Sequence, residues 1–425
     1  MIAVIAMLAI LLGWALVSGR LARWNITPAV AMIAAGALLT LGSDPAVELN
    51  LDGRVAERIV EVTLAVVLFV DATEVPAGIL GREPRITGRL IGIALPLSLL
   101  LAWAAGFLVL PEQGAWILAL LATIVVPIDL APVAAVVRDR RVPGRLRDLL
   151  NVEAGLNDGV ISPLFFFCLA GAGADLGDRP VGDALLDAVP AALVALGVGA
   201  ALGFVSARLL GWAWSRGWTR APGLRLGVLA VPLLSYAVAG VLDGNGFVAA
   251  FVAGVLFNSS ARLLPDDAVH LVEDAGSLLS LAIWFGFGQV VNEVFTDRIG
   301  LDVVVYAILA LTVVRVVPVL LSLAGSGIGR RDALFLAWLG PRGQASVVFG
   351  LLAFIHLSDP EESFVLEVMT ITVLLSVVLH GLSAGPLAAA YGRRPGTDAL
   401  ASAGGSPPVV TARRAAPRRP PGGSP

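Results

Sequence analysis

The chain has 425 residues, 57% of them hydrophobic and only 14% charged, with a mean hydropathy of +0.88 and a formal net charge of −3. An average globular chain carries about 25% charged residues, so this composition excludes an ordinary soluble domain, and the near-neutral balance points away from nucleic acid. The single cysteine, Cys168, lies in an apolar run and excludes both a disulfide framework and a cysteine-based metal site.

Apolar stretches recur along the chain, and a run of about 20 residues is enough to cross a bilayer as a helix. The pattern predicts an all-α polytopic membrane protein with about thirteen transmembrane helices. In chain order they fall at about 1–18, 26–42, 59–80, 88–110, 114–137, 148–171, 184–210, 224–241, 246–260, 274–292, 300–324, 332–355 and 363–391. The start, Met1-Ile-Ala-Val-Ile, lacks the positive region of a signal peptide and reads as the first span rather than a cleaved leader. The expected organisation is a transmembrane domain over 1–394 and a disordered cytoplasmic tail over 395–425. The tail is rich in Pro, Gly, Ala, Ser and Arg, and cannot bury enough apolar surface to fold.

All 29 basic residues are arginine, and their placement tests the span count, because cytoplasmic loops are the positive ones. Arg20 and Arg23, then Arg82, Arg85 and Arg89, then Arg138, Arg140, Arg141, Arg145 and Arg147 follow the first, third and fifth spans. Later alternate loops agree, with Arg208, Arg216, Arg220 and Arg225, then Arg262, then Arg330 and Arg331. The opposite loops carry few arginines, such as Arg54, Arg58, Arg179 and Arg298, among many acids. This sidedness predicts an N-terminus outside and a C-terminus in the cytoplasm.

Two spans are interrupted. The fifth reads Ala122-Thr-Ile-Val-Val-Pro-Ile-Asp-Leu-Ala-Pro132, where Pro127 and Pro132 each remove a helical donor around Asp129. The twelfth breaks at Trp338-Leu-Gly-Pro-Arg-Gly343, around Arg342. Paired interruptions at matching positions of two halves mark the substrate site of inverted-repeat transporters. These two are seven spans apart, so they cross in opposite senses, as a repeat of spans one to six onto eight to thirteen requires. Broken helices expose end dipoles and free carbonyls at membrane depth. Asp129 can face the exposed N-termini, and Arg342 the carbonyl ends or a carboxylate.

The sixth span opens with Asn151-Val-Glu-Ala-Gly-Leu-Asn-Asp-Gly159. Glu153 and Asn157 are four apart and share a helix face, and Asp158 lies about 100° round from Asn157. A carboxylate at this depth costs roughly 2.5–3.5 kcal/mol on insertion scales, so it pairs, faces water or binds a cation. Proton and monovalent cation compete for the same oxygens of Asp158, which makes it the candidate exchange site. Glu153 needs a permanent partner. Arg315 and Arg342 are the arginines well inside spans rather than at their ends, and Arg315, in Thr312-Val-Val-Arg-Val-Val-Pro318, is the expected one. Asp71 and Glu74, near the end of span three, are candidates for an ion path, and Glu61 reads as interfacial. His356 and His380 read as hydrogen-bonded packing residues, and Asn245 as a turn between spans eight and nine. No phosphate-binding glycine loop, zinc spacing or nucleophile elbow is found, so no cofactor and no enzyme activity is expected.

Glu153-Ala-Gly-Leu-Asn-Asp-Gly159, Pro127-Ile-Asp129, Gly340-Pro-Arg-Gly343, Gly246-Phe-Val-Ala-Ala-Phe-Val-Ala-Gly254 and Leu379-His-Gly-Leu-Ser383 together resemble the monovalent cation:proton antiporter family, in its electroneutral sodium/proton branch. The resemblance runs from about residue 60 to 394. It implies the sodium/proton antiporter fold: thirteen helices, a six-helix core in which spans five and twelve cross, and a homodimer helped by the first span. It also implies that Asp158 binds the ion and proton, Asn157 orders the crossing, Asp129 neutralises helix ends, Glu153 pairs with an arginine and Asp71 lies near the ion path. Asn157 before Asp158 is similar to the electroneutral branch, with one proton per ion.

Two departures bear on the ion. Ile128 stands where the family often has Thr, and Ala154 where many members have a Ser that can supply a ligand oxygen. The expected activity is therefore exchange of Na⁺ or K⁺ for H⁺ across a bacterial-type inner membrane, with the cation open. The competing class is a cation channel or a transporter-derived sensor without obligatory proton exchange.

Overall fold

A computed structural model describes residues 2–23, 26–41, 54–74, 81–137, 139–173, 181–296 and 298–392. The tail over 395–425 therefore lies outside the described residues, as does Arg138 between the fifth and sixth spans. Among the described residues the architecture is all-helical: α1 (Ile2–Arg23), α2 (Pro28–Leu39), α3 (Arg54–Glu74), α4 (Pro84–Arg89), α5 (Leu95–Val109), α6 (Ala115–Val125), α7 (Ala134–Val137), α8 (Gly144–Ala172), α9 (Val181–Ser215), α10 (Ala221–Val241), α11 (Gly246–Ser260), α12 (His270–Thr296), α13 (Leu301–Leu311), α14 (Val313–Leu323), α15 (Arg330–Trp338), α16 (Gln344–His356) and α17 (Glu361–Gly392).

These helices fall on the thirteen expected spans. Several are long and apolar enough to cross a membrane whole, among them Pro84–Val109, Gly144–Ala172, Leu301–Leu323 and Glu361–Tyr391. Others are short because they are half-spans: α6 and α7 share the fifth crossing, and α15 and α16 share the twelfth. The short helices α6 and α16 are both apolar. The fourth crossing joins α4 to α5 through a π-helical turn, Leu90–Ala94, whose closing bond runs from the Leu95 N–H to the Leu90 carbonyl. Pro96 explains it, since a proline ring collides with the carbonyl four residues back and the ladder widens to accommodate it.

Ion pairs and caps divide the molecule into two ends that match the arginine pattern. At one end Arg145 holds Glu83 through two bonds of 2.6 and 3.0 Å, tying the first turn of α8 to the residue before α4. Arg89 donates to the carbonyls of Ser322 and Ala324 at the end of α14. Arg331 donates to the Ala390 carbonyl of α17. At the other end Glu57 of α3 lies 3.6 Å from His356 at the end of α16, and Glu367 of α17 accepts from the Gly300 N–H before α13.

The largest apolar core is built from α3, α6, α8, α12, α16 and α17, with residues such as Leu64, Leu121, Phe165, Phe287, Phe349 and Val368 fully enclosed. α2 packs along α12, and the Asn292 amide of α12 donates to the Ala37 carbonyl at 2.5 Å and the Thr40 hydroxyl at 2.7 Å. The consequence for function is that the two broken crossings and the middle of α8 lie inside this core, away from the lipid-facing rim.

Candidate functional site

The fifth and twelfth crossings unwind at the same place. The Asp129 N–H, in the gap after α6, donates to the Pro341 carbonyl in the gap before α16 at 2.8 Å. A single backbone bond thus joins the two breaks. The Asp129 carboxylate then serves two helix starts. Its Oδ1 accepts from the Ala131 N–H at 2.8 Å, at the short 3₁₀ turn leading into α7. Its Oδ2 accepts from the Gln344 N–H at 2.8 Å, at the first residue of α16. A carboxylate against N–H groups at a helix start satisfies donors that have no partner in the helix and complements the positive end of its dipole.

The opposite ends are met by positive donors. Arg342 is fully buried, and its guanidinium donates to the Gly340 carbonyl at 2.8 Å and to the Ala310 carbonyl at 2.9 Å. Ala310 belongs to α13, and the eleventh crossing is itself broken at Thr312, whose φ of −111° and ψ of −87° are not helical. The arginine side chain inserts where the ladder opens, a recognised cause of helix interruption. In the other direction Arg315 of α14 donates to the Leu336 carbonyl of α15 at 3.1 Å. Crossings eleven and twelve therefore exchange arginines, each guanidinium closing a carbonyl of its neighbour.

Arg315 also makes a bidentate pair with Glu153 of α8, at 2.5 and 3.0 Å, and both side chains are buried. The two parallel bonds fit the planar fork of a guanidinium. His380 completes the frame. Its Nε2 lies 3.1 Å from the Trp338 carbonyl and its Nδ1 lies 3.1 Å from the Ser376 hydroxyl, which accepts the Arg342 N–H at 2.6 Å. Both ring nitrogens also face backbone carbonyls, Nε2 that of Trp338 at 3.1 Å and Nδ1 that of Ser376 at 2.9 Å.

The motif Gly340-Pro-Arg-Gly343 now has a physical reading. A Cβ on Gly340 would stand 2.6 Å from Arg315 Nε and 3.1 Å from its Cδ. A Cβ on Gly343 would overlap the Asp129 carboxylate. Each glycine is the space that one buried charge occupies.

Asp158 differs from these groups. It is buried on α8 and its Oδ1 has no hydrogen-bond partner in the protein. Among the described residues no cation pairs with it, and the Asp129 carboxylate is close enough to act on it. Asn157 is also buried, with its Oδ1 unpartnered. Asp71 sits half-buried near the end of α3, a helix that packs against α8, and the Glu74 side chain lies outside those described. His356 stands at the rim beside Glu57, away from the breaks. Asn245 caps α11, accepting from the Phe247 and Val248 N–H groups. Sequence reasoning did not find the Thr312 break or the Ser376–His380 link. The π turn was also not read from the sequence, where Pro96 is the signal for it, and nothing in the residues around Thr312 distinguishes it from an ordinary helix.

The family profile described as "Sodium/hydrogen exchanger, transmembrane" matches residues 4–390. The K(+)/H(+) antiporter NhaP of Alkalimonas amylolytica is 27% identical over 289 residues, covering 65% of this chain and 48% of that protein. A Na(+)/H(+) antiporter of Schizosaccharomyces pombe is 26% identical over 277 residues, covering 57% of each. The chain thus spans about half the length of the curated relatives it matches. The fold is similar to that of the sodium proton antiporter MjNhaP1 from Methanocaldococcus jannaschii, solved at pH 8, with a TM-score of 0.71 at 20% identity over 93% of this chain and 99% of that one.

Two outcomes test this frame. Replacing Glu153 by Gln leaves Arg315 buried against a neutral partner and is expected to cost about 3–5 kcal/mol. The loss should show as a lower melting temperature of the detergent-solubilised protein, and pairing it with Arg315→Met should recover part of it. Gly340→Ala is expected to destabilise by about 1–3 kcal/mol through overpacking. A melting temperature unchanged by Gly340→Ala would mean that Arg315 does not occupy that space.

Proposed function

Because the chain belongs to the sodium/hydrogen exchanger family, we propose that it is a secondary transporter exchanging a monovalent cation, Na⁺ or K⁺, for H⁺. The observation that carries this reading is the contrast among the buried charges. Glu153 and Arg315 neutralise each other, while Asp129 and Arg342 each answer helix ends. Asp158 is left with no counter-charge among the described residues, and its Oδ1 has no hydrogen-bond partner there. A carboxylate in that position must be neutralised by something that comes and goes.

Exchange follows from that. A proton and a monovalent cation each cancel the single negative charge of Asp158, and both use the same carboxylate oxygens. Binding one displaces the other. If the carrier alternates its access when Asp158 is neutralised and resists moving with the bare charge, a proton gradient drives the cation the opposite way. One carboxylate turning over one proton per monovalent ion makes the cycle electroneutral.

The surrounding charges then have fixed tasks. Asp129 and Arg342 hold the crossing in place by closing helix ends, and the Glu153–Arg315 pair ties α8 to α14 so that Asp158 keeps its position relative to the breaks. Asn157 contributes a buried amide oxygen beside Asp158, and Asp71 lies on the approach along α3. The arginine-rich loops support an orientation with the N-terminus outside and the C-terminus cytoplasmic, in the cell membrane. The functional unit is a homodimer, with the apolar outer face of α1 available for the contact; Leu8, Leu12 and Leu16 on it are exposed.

The direct test uses inside-out vesicles with an imposed proton gradient. Added Na⁺, K⁺ or Li⁺ is expected to dissipate the gradient, and Asp158→Asn, which keeps shape and removes charge, is expected to abolish the response. Exchange persisting at the wild-type rate in Asp158→Asn would overturn this assignment.

A further inference from the structure

The missing hydroxyl at Ala154 raises the question of which oxygens surround a cation at Asp158. Two buried hydroxyls answer it. Ser162 of α8 and Ser346 of α16 are 0% and 1% exposed, and neither hydroxyl has a hydrogen-bond partner in the protein. A buried hydroxyl with no partner carries a desolvation cost, and a serine in a helix ordinarily escapes that cost by bonding back to a carbonyl one turn earlier. Ser235 on α10 and Ser322 on α14 do so, but Ser162 and Ser346 do not.

Their relative position is fixed by a ring stack. Phe165 and Phe349 lie face to face, with centroids 4.4 Å apart and planes 16° off parallel. Ser162 is three residues before Phe165, and Ser346 three before Phe349, so each shares a helix face with its ring. α8 is the sixth crossing and α16 the second half of the twelfth, so the two run in the same direction. Both serines therefore sit about 4.5 Å to the same side of the stack, at 1.5 Å per residue. Asp158 is four residues before Ser162 on the same face of α8, one further turn from the rings.

A third oxygen comes from the backbone. Pro163 has no N–H, so the Gly159 carbonyl lacks its usual donor four residues on. The Phe251 ring fills the space where a side chain on Gly159 would stand. Between Asp158 and the stacked rings there is thus a short polar stretch of hydroxyl and carbonyl oxygens walled by phenyl groups.

We infer that Ser162 and Ser346, with the Gly159 carbonyl, form an oxygen station next to Asp158 that coordinates the partly dehydrated monovalent cation and sets which cation is exchanged. The inference rests on the antiporter reading and adds the residues that give it ion specificity. Neutral hydroxyl and carbonyl oxygens discriminate among alkali cations by number and spacing, while Asp158 alone supplies charge and accepts the proton. The Phe165–Phe349 stack closes the station on its far side, so the ion reaches it past Asp158.

The test compares Li⁺, Na⁺ and K⁺ in the vesicle assay for the wild type, Ser162→Ala, Ser346→Ala and the double variant. The expected result is a change of about tenfold or more in half-saturating cation concentration in the double variant, with an altered ratio among the three ions, and recovery in Ser162→Thr, which restores a hydroxyl. A double variant whose half-saturation and ion ratios stay within twofold of wild type would overturn the station while leaving Asp158 in place. No exchange by the wild type with any of the three ions would overturn the antiporter reading, and the station with it. If the double variant does not fold, cation-dependent thermal stabilisation of each single variant in detergent decides, with unchanged ion ratios again overturning the proposal.

Discussion

A helix that stops halfway through a bilayer leaves N–H and C=O groups where no water can reach them, and this constraint organises the protein. Crossings five and twelve stop in this way, and crossing eleven is interrupted at the single residue Thr312. The N–H ends are closed by Asp129, which spans two helix starts with its two oxygens. The carbonyl ends are closed by Arg315, Arg342 and His380. Because Arg315 reaches crossing twelve and Arg342 reaches crossing eleven, neither break can shift without opening the other. Glu153 adds α8 to the same frame through its bidentate contact with Arg315.

Such a frame gives a carrier two properties at once. It gives the exposed helix ends of irregular backbone at membrane depth hydrogen-bond partners, and it uses most of its buried charge in doing so. What remains is Asp158, whose Oδ1 has no hydrogen-bond partner and which no cation pairs among the described residues. On the proposed reading, exchange needs no further device than competition for this one carboxylate, with specificity delegated to neutral oxygens nearby. The Gly340 and Gly343 positions show how tightly the frame is drawn, since a single methyl at either would meet a charged side chain.

Much of the fold was legible in the sequence. Each apolar run of sufficient length became a helix, and the interruptions at Pro127 and Gly340-Pro341 marked the breaks because a proline removes a ladder donor and a glycine weakens the helix beside it. Elimination between two intramembrane arginines picks Arg315 for Glu153, and the structure has that contact. The Thr312 break was not legible, because it depends on Arg342 arriving from another crossing rather than on local residues. The paired hydroxyls of Ser162 and Ser346 were equally hidden, since nothing in either segment says that Phe165 and Phe349 will stack. Sequence reveals what a residue demands, and the tertiary arrangement decides which distant residue supplies it.

The central claim is that one carboxylate is shared by proton and cation. Proton release on cation binding measures it directly. Purified protein in weak buffer, at a pH where Asp158 is protonated, is titrated with Na⁺ or K⁺ while the released protons are counted. Competition at Asp158 predicts release approaching one proton per bound cation, and none from Asp158→Asn. Saturable cation binding with no proton release, or undiminished release from Asp158→Asn, would contradict it.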